Sequence, residues 1–189
     1  MIKRQALKVV IDGTPAERTY LCSKDFSLFL SYYFTEYLKY PYADFHYEWF
    51  DDLKDLMGDD IRELALIAFR ESAKTSFSKI FLVWLIVYAK RRYINVDSFS
   101  ITNAERILFD VVFALQTNLK LKSDFGELYN SKRDSNEVTQ KRINNFITNN
   151  GVRVEAHSTG KSVRGRLHGN QRPDFLLLDD FETNDTKDS

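Results

Sequence analysis

The chain has 189 residues, 43% of them hydrophobic, with 27 Lys+Arg against 27 Asp+Glu. That length suits a domain of ordinary size with a substantial core, and the hydrophobic share is that of a globular rather than a disordered chain. A formal net charge of zero means that any surface for nucleic acid must be local, and one cysteine, Cys22, excludes an internal disulfide and a cysteine-based zinc site.

His46, His157 and His168 show no metal-ligand spacing. Met1-Ile2-Lys3-Arg4 is not followed by a signal-peptide core, and the most apolar stretch, Ile80 to Ala89, is far short of the roughly 20 residues of a membrane span. The expectation is a soluble, cytoplasmic protein with no membrane partner.

In chain order, Ala6 to Ile11 reads as a short strand and Asp12-Gly13-Thr14-Pro15 as a turn. Ser23 is the expected N-cap of a helix over Lys24 to Tyr40. Phe26, Phe29, Leu30, Tyr33, Phe34, Tyr37 and Leu38 recur there at helical spacing, as a core face does. Pro41 ends it. Asp44 is expected to cap a helix over Phe45 to Met57 that buries Trp49, Phe50, Leu53 and Leu56.

Ile61 to Ala68 reads as a strand covered on both faces. A polar turn follows, and Lys74-Thr75 open a helix to about Arg91 that is apolar nearly all round, hence buried. Tyr93 to Ile101 reads as the next strand. Thr102 or Asn103 caps a helix through about Leu119. This alternation predicts a βαβ unit and a parallel sheet. Lys120 to Asn144 is polar and reads as a partly ordered insertion. Asn145 to Ser158 reads as a hairpin turning at Asn149-Asn150-Gly151. The Gly/Arg-rich stretch from Ser158 to Pro173 leads to a strand, Asp174 to Leu178, that ends in Asp179-Asp180.

Two parts of this pattern carry chemistry. Strand, loop, Lys-Thr, helix is the layout of a nucleotide phosphate site, because a helix N-terminus offers unpaired N–H groups and a positive dipole end. The usual glycines are absent: Ala73 stands where the second Gly belongs and Ala68 at the first. A buried strand ending in acids, D-F-L-L-L-D-D, is how P-loop enzymes deliver the carboxylate that holds Mg²⁺. Asp179 is the candidate for that ion and Asp180 for orienting or deprotonating water. Between these parts, Arg164-Gly165-Arg166 can supply a guanidinium to a phosphate. Lys161, Arg164, Arg166 and Arg172 are equally suited to a DNA backbone.

Taken in order, F-H-Y-E-W-F-D-D-L, F-R-E-S-A-K-T-S, S-F-S-I-T-N-A-E-R-I, the N-G…R-G-R block and R-P-D-F-L-L-L-D-D-F-E resemble the ATPase domain of phage terminase large subunits, over roughly Phe45 to Glu182. The resemblance implies a P-loop NTPase-type three-layer αβα domain, with a mostly parallel central sheet. Residues 1–60 would be an N-terminal helical extension, and residues 61–189 an ATPase core cut short after the Walker B strand, without the nuclease domain. It implies ATP and Mg²⁺ as cofactors. Arg70, Glu71, Ser72, Ala73, Lys74, Thr75 and Ser76 would form the variant Walker A loop, Lys74 on the β/γ-phosphates and Arg70 at the γ-phosphate. Thr75 and Asp179 would hold Mg²⁺. Asp180 would be the base, with Glu182 as fallback, and Arg164 the arginine finger. Double-stranded DNA, a terminase small subunit, a portal protein and a homo-oligomeric ring would be its partners.

The chain departs from the family loop at Phe69, in place of Pro, and at Glu71, in place of Gly. Two alternatives share these features: a remnant or interaction module that keeps the fold but hydrolyses ATP poorly, and a helicase-like ATPase.

Overall fold

The computed structural model describes residues 4–37, 41–58, 61–129, 143–158 and 172–180. It is an α/β protein with seven α-helices and one four-stranded mixed sheet among these residues. The chain divides into two compact units, Met1–Trp84 and Leu85–Ser189, with the division falling inside the sequence of α5.

The first unit is helical: α1 (Arg4–Asp12), α2 (Pro15–Lys24), α3 (Phe26–Tyr33), a 3-10 turn (Thr35–Tyr37), α4 (Asp44–Met57) and the start of α5 (Lys74–Val87). The strand expected at Ala6 to Ile11 is a helix. Ala6, Leu7 and Val10 are spaced for one helical face, and of the three only Val10 is fully buried. Thr14 and Glu17 then form a reciprocal capping box that starts α2.

The helix expected over Lys24 to Tyr40 is shorter: α3 begins at Phe26, after Asp25, and ends at Tyr33, before the 3-10 turn. Asp25 sits in extended backbone, and its Oδ1 accepts from Ser27 N at 2.8 Å and Leu28 N at 3.3 Å, so Asp25 rather than Ser23 is the N-cap. The aromatic face is core as expected. Phe26 packs on Phe50, Phe77, Phe81 and Trp84 with ring centroids 5.2–5.8 Å apart, and Trp84 Nε1 donates to Cys22 O at 2.8 Å. Tyr37, at the end of the predicted stripe, is 56% exposed.

Ile61 to Ala68 is not a strand. No described strand pairs with it, and Ile67 is 91% exposed. Apolar, β-branched composition makes a segment fit for a sheet, but a strand exists only through ladder hydrogen bonds with a neighbour.

The second unit carries the sheet, in order β2 (Asn145–Ile147), β3 (Arg153–Ser158), β1 (Tyr93–Ser98), β4 (Phe175–Leu178). β1 pairs parallel with both β3 and β4, and β2 adds antiparallel to β3. The hairpin forms where expected, with Gly151 at φ 84 supplying the positive-φ position. β1 is buried along its whole length. It ends at Ser98, short of the predicted Ile101, because Ser100 caps α6 (Ile101–Thr117) by accepting from Asn103 N at 3.2 Å. Asn118 likewise stops α6 and caps α7 (Leu119–Phe125), so part of the presumed polar insertion is helical. Residues 130–142 of that insertion lie outside the described residues.

α5 stops at Val87, not near Arg91, where Ala89 takes φ 47 and Lys90 N returns to Leu85 O at 2.9 Å. Its buried face wraps the helix as expected, with Leu82, Leu85 and Ile86 all at 0% exposure.

Candidate nucleotide site

The loop from Arg70 to Ala73 joins an extended segment to the first turn of α5. Its backbone is unusual. Glu71 has φ 69 and Ala73 has φ 62, the left-handed region that glycine enters freely and other residues enter at a cost of about 1–2 kcal/mol. Between them Ser72 is buried, at 5% exposure. Arg70, Glu71 and Ala73 are exposed, while Lys74, Thr75 and Ser76 are half-buried in the first helical turn. Phe77 N bonds back to Ala73 O at 2.9 Å, which makes Ala73 the residue that enters α5.

The first turn of α4 holds this loop. Phe69 packs edge-on against Phe45 at 5.5 Å, and His46 Nε2 donates to the Ser72 carbonyl at 3.2 Å. Asp44 is not the cap of α4, as the sequence led us to expect. Ala43 is the N-cap and has no side-chain acceptor; Asp44 is the first helical residue. His46, at the third helical position, accepts from Ala43 N at 3.1 Å instead. In the sequence His46 stands only as a histidine without metal-ligand spacing and as part of the F-H-Y-E-W-F-D-D-L block, with no role in the loop. Its position three residues after a helix start was the available signal.

In the second unit β4 ends as expected, with acids at the carboxyl edge of the parallel strands, where open α/β sheets bind ligands. Asp174 is not part of the strand. Its two carboxylate oxygens accept from Arg92 N and Tyr93 N, each at 2.8 Å, so it ties the start of β4 to the start of β1. At the other end Asp179 is buried, at 8% exposure, and its N–H bonds to Asp97 O at 3.0 Å. Asp180 turns left-handed, at φ 47, and its carbonyl accepts from Phe99 N at 3.0 Å. The chain therefore bends between the two acids, leaving Asp179 inside and Asp180 exposed.

One face of this sheet is polar, which the sequence reading did not single out. Tyr93 Oη donates to Glu155 Oε2 at 2.7 Å, His157 Nε2 lies 3.3 Å from the same oxygen, and Arg153 pairs with Oε1. Burial opposes ionisation of Glu155, but the Tyr93 hydroxyl and the Arg153 guanidinium outweigh it and hold the carboxyl below its ordinary value. Burial and the neighbouring carboxylate push the Tyr93 phenol up. Asn95 and Asp97 are buried on the same strand face, in register with Glu155 and His157.

The loop residues Arg70 to Ser76 belong to the first unit, and Asp179 and Asp180 to the second. Arg164, Gly165, Arg166 and Lys161 lie outside the described residues, as does Glu182; Arg172 is described and exposed. Among the described residues no group of three or more His, Cys, Asp or Glu is placed to hold a metal, and no helix is long and apolar enough to cross a membrane. No family model matches the chain, and neither a curated protein nor a solved structure shows a match to it.

Proposed function

We infer that the chain is an ATP-binding, ATP-hydrolysing domain of the terminase large-subunit type, on a P-loop NTPase-type core. One observation carries this reading. Glu71 and Ala73 adopt left-handed backbone directly before the helix that opens with Lys74-Thr75. They are the two loop positions at which the resembled family carries glycine, or glycine or alanine. Strained backbone of this kind persists only where the surrounding structure holds it, and it clusters at ligand-binding sites. Left-handed residues set among ordinary ones turn successive N–H groups into an anion-binding concavity, and the helix N-terminus behind it favours the same charge.

The resemblance assigns two cofactors, and the residue types suit their chemistry. A threonine hydroxyl and a buried strand-end carboxylate are the hard oxygen ligands that Mg²⁺ takes beside phosphates and water, so no larger acidic cluster is required. Thr75 and Asp179 would hold the ion, which when bound neutralises charge developing on the phosphates. The Lys74 ammonium would pair with the β/γ-phosphates, the backbone N–H groups of Ala73 and Ser76 would surround them, and Arg70 would address the γ-phosphate. Asp180, exposed at the strand end, would accept the proton of the attacking water, with Glu182 as the other candidate. Arg164 would act as the arginine finger. Coupling of hydrolysis to packaging of double-stranded DNA into a prohead rests on the resemblance alone. So do the small subunit, the portal, the ring and a site in the cytoplasm of the host cell.

A second reading has its own support. Ile61 to Phe69 lies outside the sheet, and Glu71 puts a negative charge beside the phosphate position. Both favour a module that binds nucleotide and turns it over poorly.

The test is the thermal midpoint with and without Mg-ATP, for the wild type and Lys74→Ala. At a hundredfold excess over Kd, ligand stabilises by about 2.7 kcal/mol, or roughly 5–10 °C for a chain of this size. The wild type should shift and the variant should not. The same response in both would overturn the nucleotide site.

A further inference from the structure

His46 carries two hydrogen bonds whose directions are set by their partners. Ala43 N can only donate, and it lies 3.1 Å from Nδ1; the Ser72 carbonyl can only accept, and it lies 3.2 Å from Nε2. One imidazole satisfies both only as the neutral tautomer with its proton on Nε2. An imidazolium would have no lone pair left for Ala43. The ring is also fixed in place. Trp49 meets it edge-on at 5.3 Å and Tyr42 tilts against it at 5.9 Å.

What this bond holds is the one stretch of left-handed non-glycine backbone among the described residues of the first unit. Ser72 stands between the two left-handed residues Glu71 and Ala73. Neither residue type selects that backbone unaided, so tertiary contacts must maintain it. The Phe45–Phe69 contact secures the near side of the loop, and the His46 bond reaches its centre from 26 residues earlier in the chain.

We propose that His46 is a positioning residue of the phosphate loop. Its tautomer is locked by the N-cap of α4, and through Nε2–H it holds the Ser72 carbonyl and the left-handed bends on either side in their ligand-ready form. The value of that form for ATP rests on the nucleotide reading above; the holding of the loop does not.

Two substitutions separate the roles of the ring. His46→Glu keeps an acceptor for Ala43 N–H, the ordinary capping-box arrangement, but has no proton for Ser72. His46→Gln can accept at one end of its amide and donate at the other. Hydrogen exchange of the Ser72 and Phe77 amides, which bond to Phe69 O and Ala73 O on either side of the loop, should without nucleotide run at least tenfold faster in His46→Glu and return to within about threefold of wild type in His46→Gln. The thermal midpoint should be held in both. Kd for Mg-ATP, measured on the same proteins, should weaken about tenfold in His46→Glu and recover in His46→Gln. Wild-type exchange rates in His46→Glu, or equally fast exchange in both variants, would overturn the proposal. If the exchange pattern appears but even the wild type does not bind Mg-ATP, His46 still positions the loop and the nucleotide reading has failed. If all three proteins bind ATP alike with unchanged exchange, the nucleotide reading stands and His46 has no such role. Nitrogen NMR of histidine-labelled wild type reads the tautomer directly. A proton on Nδ1 would overturn the proposal even if a variant failed to fold.

Discussion

Glycine at position 71 should stabilise this protein, although glycine in a loop usually does the opposite. Glu71 has φ 69. A residue with a Cβ loses about 1–2 kcal/mol in that region, and Glu71→Gly recovers it. Glycine also enlarges the unfolded ensemble, which takes back about 0.4–1 kcal/mol. The expected net is a gain of up to about 1.5 kcal/mol, a rise in thermal midpoint of a few degrees for a chain of this size. Glu71→Gln is the control, because it removes the charge and keeps the strain. Its midpoint without nucleotide should stay within about 0.5 kcal/mol of wild type. Mg-ATP affinity then separates charge from shape. The side chain is exposed, so loss of its charge should strengthen binding by about 1 kcal/mol or less, in both variants, and less again at high salt. Differential scanning calorimetry and nucleotide titration are sufficient. A midpoint in Glu71→Gly lowered by several degrees, as for glycine placed in ordinary backbone, would refute the left-handed assignment and with it the argument for a phosphate loop.

Three further outcomes are expected. Asp180→Asn keeps a residue type that tolerates the left-handed bend at φ 47 while removing the carboxylate; stability should hold and ATP turnover should fall at least a hundredfold, and unchanged turnover would exclude Asp180 as the base. Asp174→Ala leaves Arg92 N and Tyr93 N without their carboxylate acceptor and, because the site is partly open to water, should cost about 1–2 kcal/mol in denaturant unfolding. Glu155 has a folded-state pKa below its ordinary 4.5, so the stability it contributes is complete above that value and is lost as pH falls through the lower, folded one; Glu155→Gln should flatten the acid limb of the stability–pH curve, and an unchanged limb would show that the Tyr93 and Arg153 contacts do not form.

Much of the architecture was legible because it is local. The aromatic face of α3 follows from helical period, the hairpin from Asn-Asn-Gly, and the buried α5 from an apolar surface that runs all round. The acids at the end of β4 follow from an apolar run that stops in Asp-Asp. The misreadings have local causes too. Ala6 to Ile11 is too short a window to separate a two-residue period from a helical one, and Asp25 was overlooked as a cap in the middle of an otherwise helical stretch.

The sequence by itself thus determined which segments are apolar, that α5 opens at Lys74, and that Lys74-Thr75 follows a loop without glycine. Only the tertiary structure decided the rest. Ile61 to Ala68 has the composition of a strand, yet no described strand pairs with it, and it stays out of the sheet. Asp174 meets backbone 81 and 82 residues away. His46 meets Ser72 across the loop it steadies. Backbone angles at Glu71 and Ala73 run against what their side chains prefer, so no propensity could have foretold them. Local preference is a free energy of about 1 kcal/mol per residue, and packing of the surrounding helices outweighs it.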